Sequence, residues 1–149
     1  MLLSSLLFFG ALSVVFGQVV DWDLKNYHFY NPYAFLNGRL GFDYGPAQFQ
    51  TYLNPLSDLP FYISFLYLKP VYVGFVLGAL HGINFWLLYL IGLKLFTFED
   101  GLKRSALSFS SAAAGAFGAG FLSVLGTTLI DSLVAIFVLW SVLLMLGAF

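Results

Sequence analysis

Cysteine is absent from the 149 residues. That excludes a disulfide, a thiolate nucleophile and any Cys-based zinc site, and leaves carboxylates, imidazole, hydroxyls and amides to carry whatever chemistry there is. Charge is scarce as well: Asp, Glu, Lys and Arg make up 9% of the chain, against about a quarter in a soluble domain. Six Lys and Arg against seven Asp and Glu give a net charge of -1. No basic surface can therefore neutralise phosphates, and nucleic-acid binding is excluded. Proline is missing everywhere except between residues 32 and 70, which hold all five. No Gly-rich phosphate loop, nucleophile elbow or His-rich zinc spacing occurs, so the templates of soluble enzymes find nothing here.

What is abundant is apolar: 60% of the residues are hydrophobic and 20% aromatic. Such a composition belongs to an integral membrane protein. A hydrocarbon core of about 30 Å takes about 20 apolar residues in a helix, and runs of that kind lie at about 1–20, 71–96, 106–126 and 129–149. The expected fold is all-α: a single membrane module over 1–149, with about four transmembrane helices and a helical first loop over 21–70. The first run has no Lys or Arg ahead of it, and Phe16-Gly17-Gln18 is a poor cleavage site, so it reads as a retained span rather than a signal peptide.

Within the loop, Asp23 is expected to cap a short helix beginning at Leu24, Asn31-Pro32 to restart or kink it, and Asn37-Gly38 to end it. Asn54-Pro55 and Asp58-Leu59-Pro60 are turn and cap signals ahead of FYISFLYL, which is expected to lie along the interface or bend into span two at Lys69-Pro70. Span two carries Gly74, Gly78 and Gly82 in four-residue register, a bare face that lets another helix approach closely. Span three is rich in Ser, Ala and Gly and reads as protein-facing, whereas spans one and four, richer in Leu, Val and Phe, read as the outside of the bundle.

Short-loop basic residues set the expected orientation. KLFTFEDGLKR after span two concentrates Lys94, Lys103 and Arg104, which places it in the cytoplasm and the 21–70 loop outside. By alternation, GTTLID brings Asp131 to the same side as Asp21 and Asp23. A carboxylate at the membrane border can serve as a general base, and it can equally just cap a helix. Lys25, His28 and Arg39 can hold an anionic group, Arg39 through paired donors, or simply meet lipid headgroups. The loop's rings, Trp22, Tyr27, Phe29, Tyr30, Tyr33, Phe35, Phe42, Tyr44, Phe49 and Tyr52, fit an aromatic belt, and also a platform for sugar faces or isoprenoid chains. His81 and Asn84 are polar at membrane depth and are expected to bond between helices. Asp131 can cap span four or reach Asp21 and Asp23.

The order of these features carries a resemblance. An apolar first span, then DWDLKNYHFYNPYAFLNGR at 21–39, then FDYGPAQFQTYLNPLSDLP at 42–60 and Gly-rich packed spans, together resemble the N-terminal part of the GT-C superfamily. These are polytopic membrane glycosyltransferases such as the protein mannosyltransferases and aminoarabinose transferases. The resemblance implies a plasma-membrane enzyme of a bacterium or archaeon that moves a sugar from a polyprenyl-phosphate donor to an acceptor hydroxyl at the extracytoplasmic face. It implies that Asp21 or Asp23 is the carboxylate that deprotonates or orients the acceptor hydroxyl, and that Tyr27, Ala34, Leu36 and Gly38 belong to the helix that follows. It implies substrate contacts from Lys25, His28, Arg39 and Asp131, and cationic neutralisation of the phosphate, by a divalent cation or by side chains. It also implies that these residues are one part of a longer chain. DWD separates its acids by Trp22, where many members have adjacent ones, so the base is either of the two. Two other classes stand beside the enzyme: a scaffold that packs on partners through the glycine face, and part of a transporter using Asp131 and His81.

Overall fold

A computed structural model of the chain describes residues 1–17, 20–128 and 130–147. Gln18, which closes the cleavage-like triplet, Val19, Leu129 and the last two residues of the fourth apolar run lie outside them. The described residues are helical or in turns, with no strand among them. The order is α1 (Leu2–Phe16), a π-turn (Leu24–His28) running into α2 (Phe29–Leu36), two 3-10 turns (Gln48–Tyr52 and Pro55–Ser57), α3 (Leu59–Tyr67), α4 (Pro70–Leu95), α5 (Gly101–Ala116), α6 (Ala119–Ser123) and α7 (Asp131–Gly147).

Among the described residues, α4 is the one helix long and apolar enough to cross a membrane. Its 26 residues reach about 39 Å at 1.5 Å per residue. The 15 of α1, 16 of α5 and 17 of α7 reach only about 22 to 26 Å, short of a hydrocarbon core. The expectation of four full spans is therefore not met by helix length. The shortfall has local causes: α1 stops at Gly17, where φ is +79°, and the third run breaks at Phe117-Gly118, where Gly118 turns extended before α6 starts. Gly118 and Gly120 weaken the helix at that point, because glycine gives up most backbone freedom on ordering.

The hub is α4, along which α1, α5 and α7 each pack. Its glycine face is taken by α1. Ser5, Phe9 and Ser13 of α1 are buried, and Ser13 Oγ donates to the Gly74 carbonyl at 2.8 Å. A Cβ on Gly82 would sit 2.6 Å from the Ser5 carbonyl oxygen, and one on Gly78 the same distance from that of Phe9. Further along, Gly92 meets Ser108 of α5, and Phe9, Phe85, Ala112, Ala116 and Leu125 close the core. Span three was expected inside the bundle, but α5 buries only the stripe Ser108, Ala112, Ala116 and turns Leu107 and Phe109 outward.

Two buried polar side chains of α4 repair the breaks around it. His81 Nε2 lies 3.1 Å from the Ala116 carbonyl at the end of α5, and Asn84 Nδ2 donates at 2.7 Å to the Ser132 carbonyl in the first turn of α7. Irregular backbone among apolar surroundings persists only where such partners satisfy it. At the far end Asp100 caps α5 through the Leu102 and Lys103 amides, and the Arg104 guanidinium takes the Leu93 carbonyl.

The 20–69 segment is a cap seated on the first turns of α4. Leu24, Phe61 and Val73 form its core, with Phe29, Phe65 and Leu77 packed around them. Phe29, Phe61 and Phe65 stand within 5.5 Å of one another, centroid to centroid, so Phe29 belongs to this core rather than to a belt of interfacial rings.

Candidate functional site

The acids at the chain's first turn divide their work. Residues 22 and 23 are already helical, so the helix starts two residues earlier than Leu24. Asp21 Oδ1 accepts from the Leu24 amide at 2.7 Å, the N-cap to third-residue bond. The cap is thus Asp21, and the expectation that Asp23 caps Leu24 is corrected: Asp23 sits inside the first turn with no capping bond and its carboxylate is half-exposed.

The next turn is widened to a π-turn. Pro32 lies just beyond it and cannot bond the carbonyl four residues back, that of His28. Such bulges reaim side chains, and here His28 is buried at 6% exposure. Its Nδ1 lies 2.8 Å from Asp58 Oδ1. Asp58, itself buried, occupies the N-cap position of α3 but makes no capping bond there; its carboxylate goes to the histidine. Taking the Nδ1 proton, Asp58 fixes the ring so that a neutral imidazole presents its lone pair at Nε2, and Nε2 is buried without a partner among the described residues. The Tyr27 ring lies against the imidazole, 4.2 Å between centroids. Burial first, then the charges of Asp23, Asp58 and Asp21, hold the Tyr27 phenol above its ordinary value of 10.0. It stays a donor across neutral pH, with three carboxylates in its field.

This cluster of Asp21, Asp23, Tyr27, His28 and Asp58 is what the fold assembles. Asp58 is the member the sequence reading missed as a functional residue. It stood there only as a turn signal, and nothing local ties it to a histidine 30 positions earlier.

Arg39 and Asp131 lie elsewhere. Past the end of α2, Gly38 adopts φ +65° and the Arg39 amide reaches back to the Ala34 carbonyl at 2.7 Å, a Schellman closure. The guanidinium then grips Asp43 with two nitrogens, Nε to Oδ2 at 2.6 Å, while Tyr30 donates its hydroxyl to the same carboxylate. An arginine so neutralised is not a free phosphate clamp. Hydrogen bonds from Arg39 and Tyr30 hold the Asp43 carboxyl below its ordinary 3.8. Since the folded pKa is the lower one, the stabilisation is complete above 3.8 and disappears as pH falls through the folded value. Asp43→Asn is expected to flatten the acid limb of a melting-temperature profile below that pH and leave the neutral limb nearly level; an unchanged acid limb would count against the pairing.

Asp131 opens α7 and is exposed, beside Gly120, Phe121 and Val124. Its neighbour Ser132 is bonded to Asn84, whereas Leu24 packs on Val73. These α4 positions are about 16 Å apart along the axis. The three carboxylates expected on one face are therefore two with Asp58, and a third set apart. Lys25 is exposed.

Among the described residues no three His, Asp or Glu side chains converge on a point a metal ion could occupy. Comparison with protein-family models, with curated proteins and with solved structures finds no match to this chain.

Proposed function

We propose that the chain is the N-terminal membrane module of a GT-C-like glycosyltransferase that moves a sugar from a polyprenyl-phosphate donor to an acceptor hydroxyl. The observation that carries this reading is the uncommitted carboxylate of Asp23. Asp21 is spent on the Leu24 amide, while Asp23 stands half-exposed one turn from a Tyr27 phenol kept protonated. That pairing can accept the proton of an attacking hydroxyl at one atom and donate a hydrogen bond at another. The cap that holds it rests on Val73 and Leu77, at the start of the one helix long enough to cross a membrane. A lipid-borne substrate would arrive at that level.

The membrane setting draws on an inverted surface as well. Ser5, Ser13, His81, Asn84, Ser108 and Ser132 are buried, while Leu3, Val15, Phe137, Leu144 and Met145 are each more than half exposed. Soluble proteins do not display apolar surface on that scale. In this reading α1, α5 and α7 lie in the bilayer beside α4, and the 21–70 cap faces outward. The scaffold reading loses its contact face, because α1 already covers Gly78 and Gly82.

In the full-length gene, Asp23→Asn is expected to lower sugar transfer by about 100-fold or more, the usual worth of a positioned base, with membrane abundance unchanged. Asp21→Asn keeps an acceptor at the cap and is expected to transfer normally; Asp21→Ala should instead cost about 1 kcal/mol of stability. Full transfer by Asp23→Asn removes the base assignment, and with it this reading.

A further inference from the structure

The cap encloses a second hollow, of about 450 Å³, between the end of α2 and the two 3-10 turns. Its walls include Tyr30, Arg39, Asp43, Tyr44, Tyr52 and Asn54. Ligand pockets of this size commonly combine apolar faces with a few fixed polar groups. The faces here are tyrosine rings: Tyr44 is fully exposed and Tyr52 is 73% exposed. The polar groups are nearly all donors with capacity left. The Tyr44 and Tyr52 hydroxyls have no partner among the described residues. The Asn54 carbonyl oxygen is used on the Leu56 amide, which leaves its NH₂ group. Arg39 engages Asp43 through Nε and one of its two terminal nitrogens, which leaves the other.

The rim is braced from beneath. The Ala47 amide donates to Thr51 Oγ1 at 2.8 Å in a buried turn, and Asn31, fully buried, donates to the Gln50 carbonyl at 2.8 Å. The 3-10 turn that carries Tyr52 is thus held against α2, and that ring is presented on a fixed frame.

Charge decides the ligand class. Arg39 is neutralised on the spot by Asp43, so the hollow has donors without net positive charge, a poor site for phosphate and a good one for hydroxyl and ring oxygens. Ring faces beside such donors suit a molecule with flat C–H faces and an oxygen-rich edge. We infer that this hollow binds a neutral saccharide of one or two rings, stacked on Tyr44 and Tyr52 and hydrogen-bonded at its edge by Asn54 and Arg39. The site is a binding site and does not depend on Asp23 or on sugar transfer; transfer can fail while saccharide binding stands, and the reverse.

The test uses the whole protein in phosphatidylcholine nanodiscs, since glycoside detergents would compete. Saturation-transfer NMR is read with maltose, cellobiose, N-acetylglucosamine and glucose 1-phosphate at roughly 10 mM, suited to millimolar affinities. At least one neutral sugar is expected to receive saturation at its ring protons. Tyr44→Ala and Tyr52→Ala should each weaken that sugar's affinity about tenfold, while Tyr67→Ala, an exposed ring outside the hollow, leaves it unchanged. Both rings are at the surface, so their removal spares the fold, and unchanged thermal melting verifies it. Absence of signal from all three neutral sugars overturns the proposal. So does binding that survives both tyrosine changes, or glucose 1-phosphate binding about tenfold tighter than any neutral sugar, which would mark a phosphate site.

Discussion

Gly82→Leu is expected to separate α1 from α4 and to remove most of the folded protein. The reason lies in what the new side chain meets. A Cβ at Gly82 falls 2.6 Å from the Ser5 carbonyl oxygen and 2.9 Å from the Leu6 amide nitrogen. Both are backbone atoms of a helix and neither can swing aside. Overpacking usually costs about 1 to 3 kcal/mol even where side chains can adjust, so a leucine against rigid backbone should cost at least about 3 kcal/mol, a large share of a typical stability of about 5 to 15 kcal/mol. A graded series sharpens the claim. Gly82→Ala and Gly78→Ala should both lower the melting temperature, since each meets backbone oxygen. Gly10→Ala meets only the Phe75 ring, 2.8 Å away, and a ring can turn, so its cost should be the smallest. Thermal unfolding by circular dichroism in a single detergent measures all four. Equal melting of Gly82→Leu and the parent would mean that α1 does not lie on the glycine face.

That face was legible in the sequence because its signal is a period. Three glycines four residues apart stay on one side of any helix, whatever the tertiary context, and the same holds for the punctuation at Asn37-Gly38, Asn54-Pro55 and Lys69-Pro70, where backbone chemistry acts locally. Helix length was not legible. Hydropathy scores the apolar run through Phe117-Gly118 as continuous, but Gly118 and Gly120 lower the helix propensity just where α5 stops. The cap residue was missed by two positions because the choice is not local. Asp21 and Asp23 are both sound caps, and the choice depends on whether Trp22 is helical, which the packing of Leu24 on Phe61 and Val73 decides from outside the segment. In the sequence Arg39 reads as an anion ligand or as a contact to lipid headgroups. Its partner Asp43 stands only four residues on, but the approach depends on the left-handed turn at Gly38.

The pairing of His28 with Asp58, 30 positions apart, carries the second large prediction. Both side chains are at least nine-tenths buried, and the pair ties the π-turn to the start of α3, holding the cap closed over α4. Removing Asp58 leaves an unpaired buried N–H in low dielectric, a change worth about 1 to 3 kcal/mol. Asp58→Ala should therefore be costly, because the Nδ1 proton loses its acceptor while the Nε2 lone pair is already without a donor. Asp58→Asn keeps a carbonyl oxygen for that proton and should cost about 1 kcal/mol, the usual worth of a hydrogen bond less its charge. Replacing both partners by leucine is expected to cost less than Asp58→Ala alone, since no orphan polar group remains. Hydrogen exchange of the α3 amides, read beside the melting curves, locates the loss: Asp58→Ala should open α3 and the π-turn ahead of α4. If Asp58→Ala melts with the parent, or if the double leucine variant is the worst of the three, the pair does not hold the cap, and the orientation of His28 needs another source.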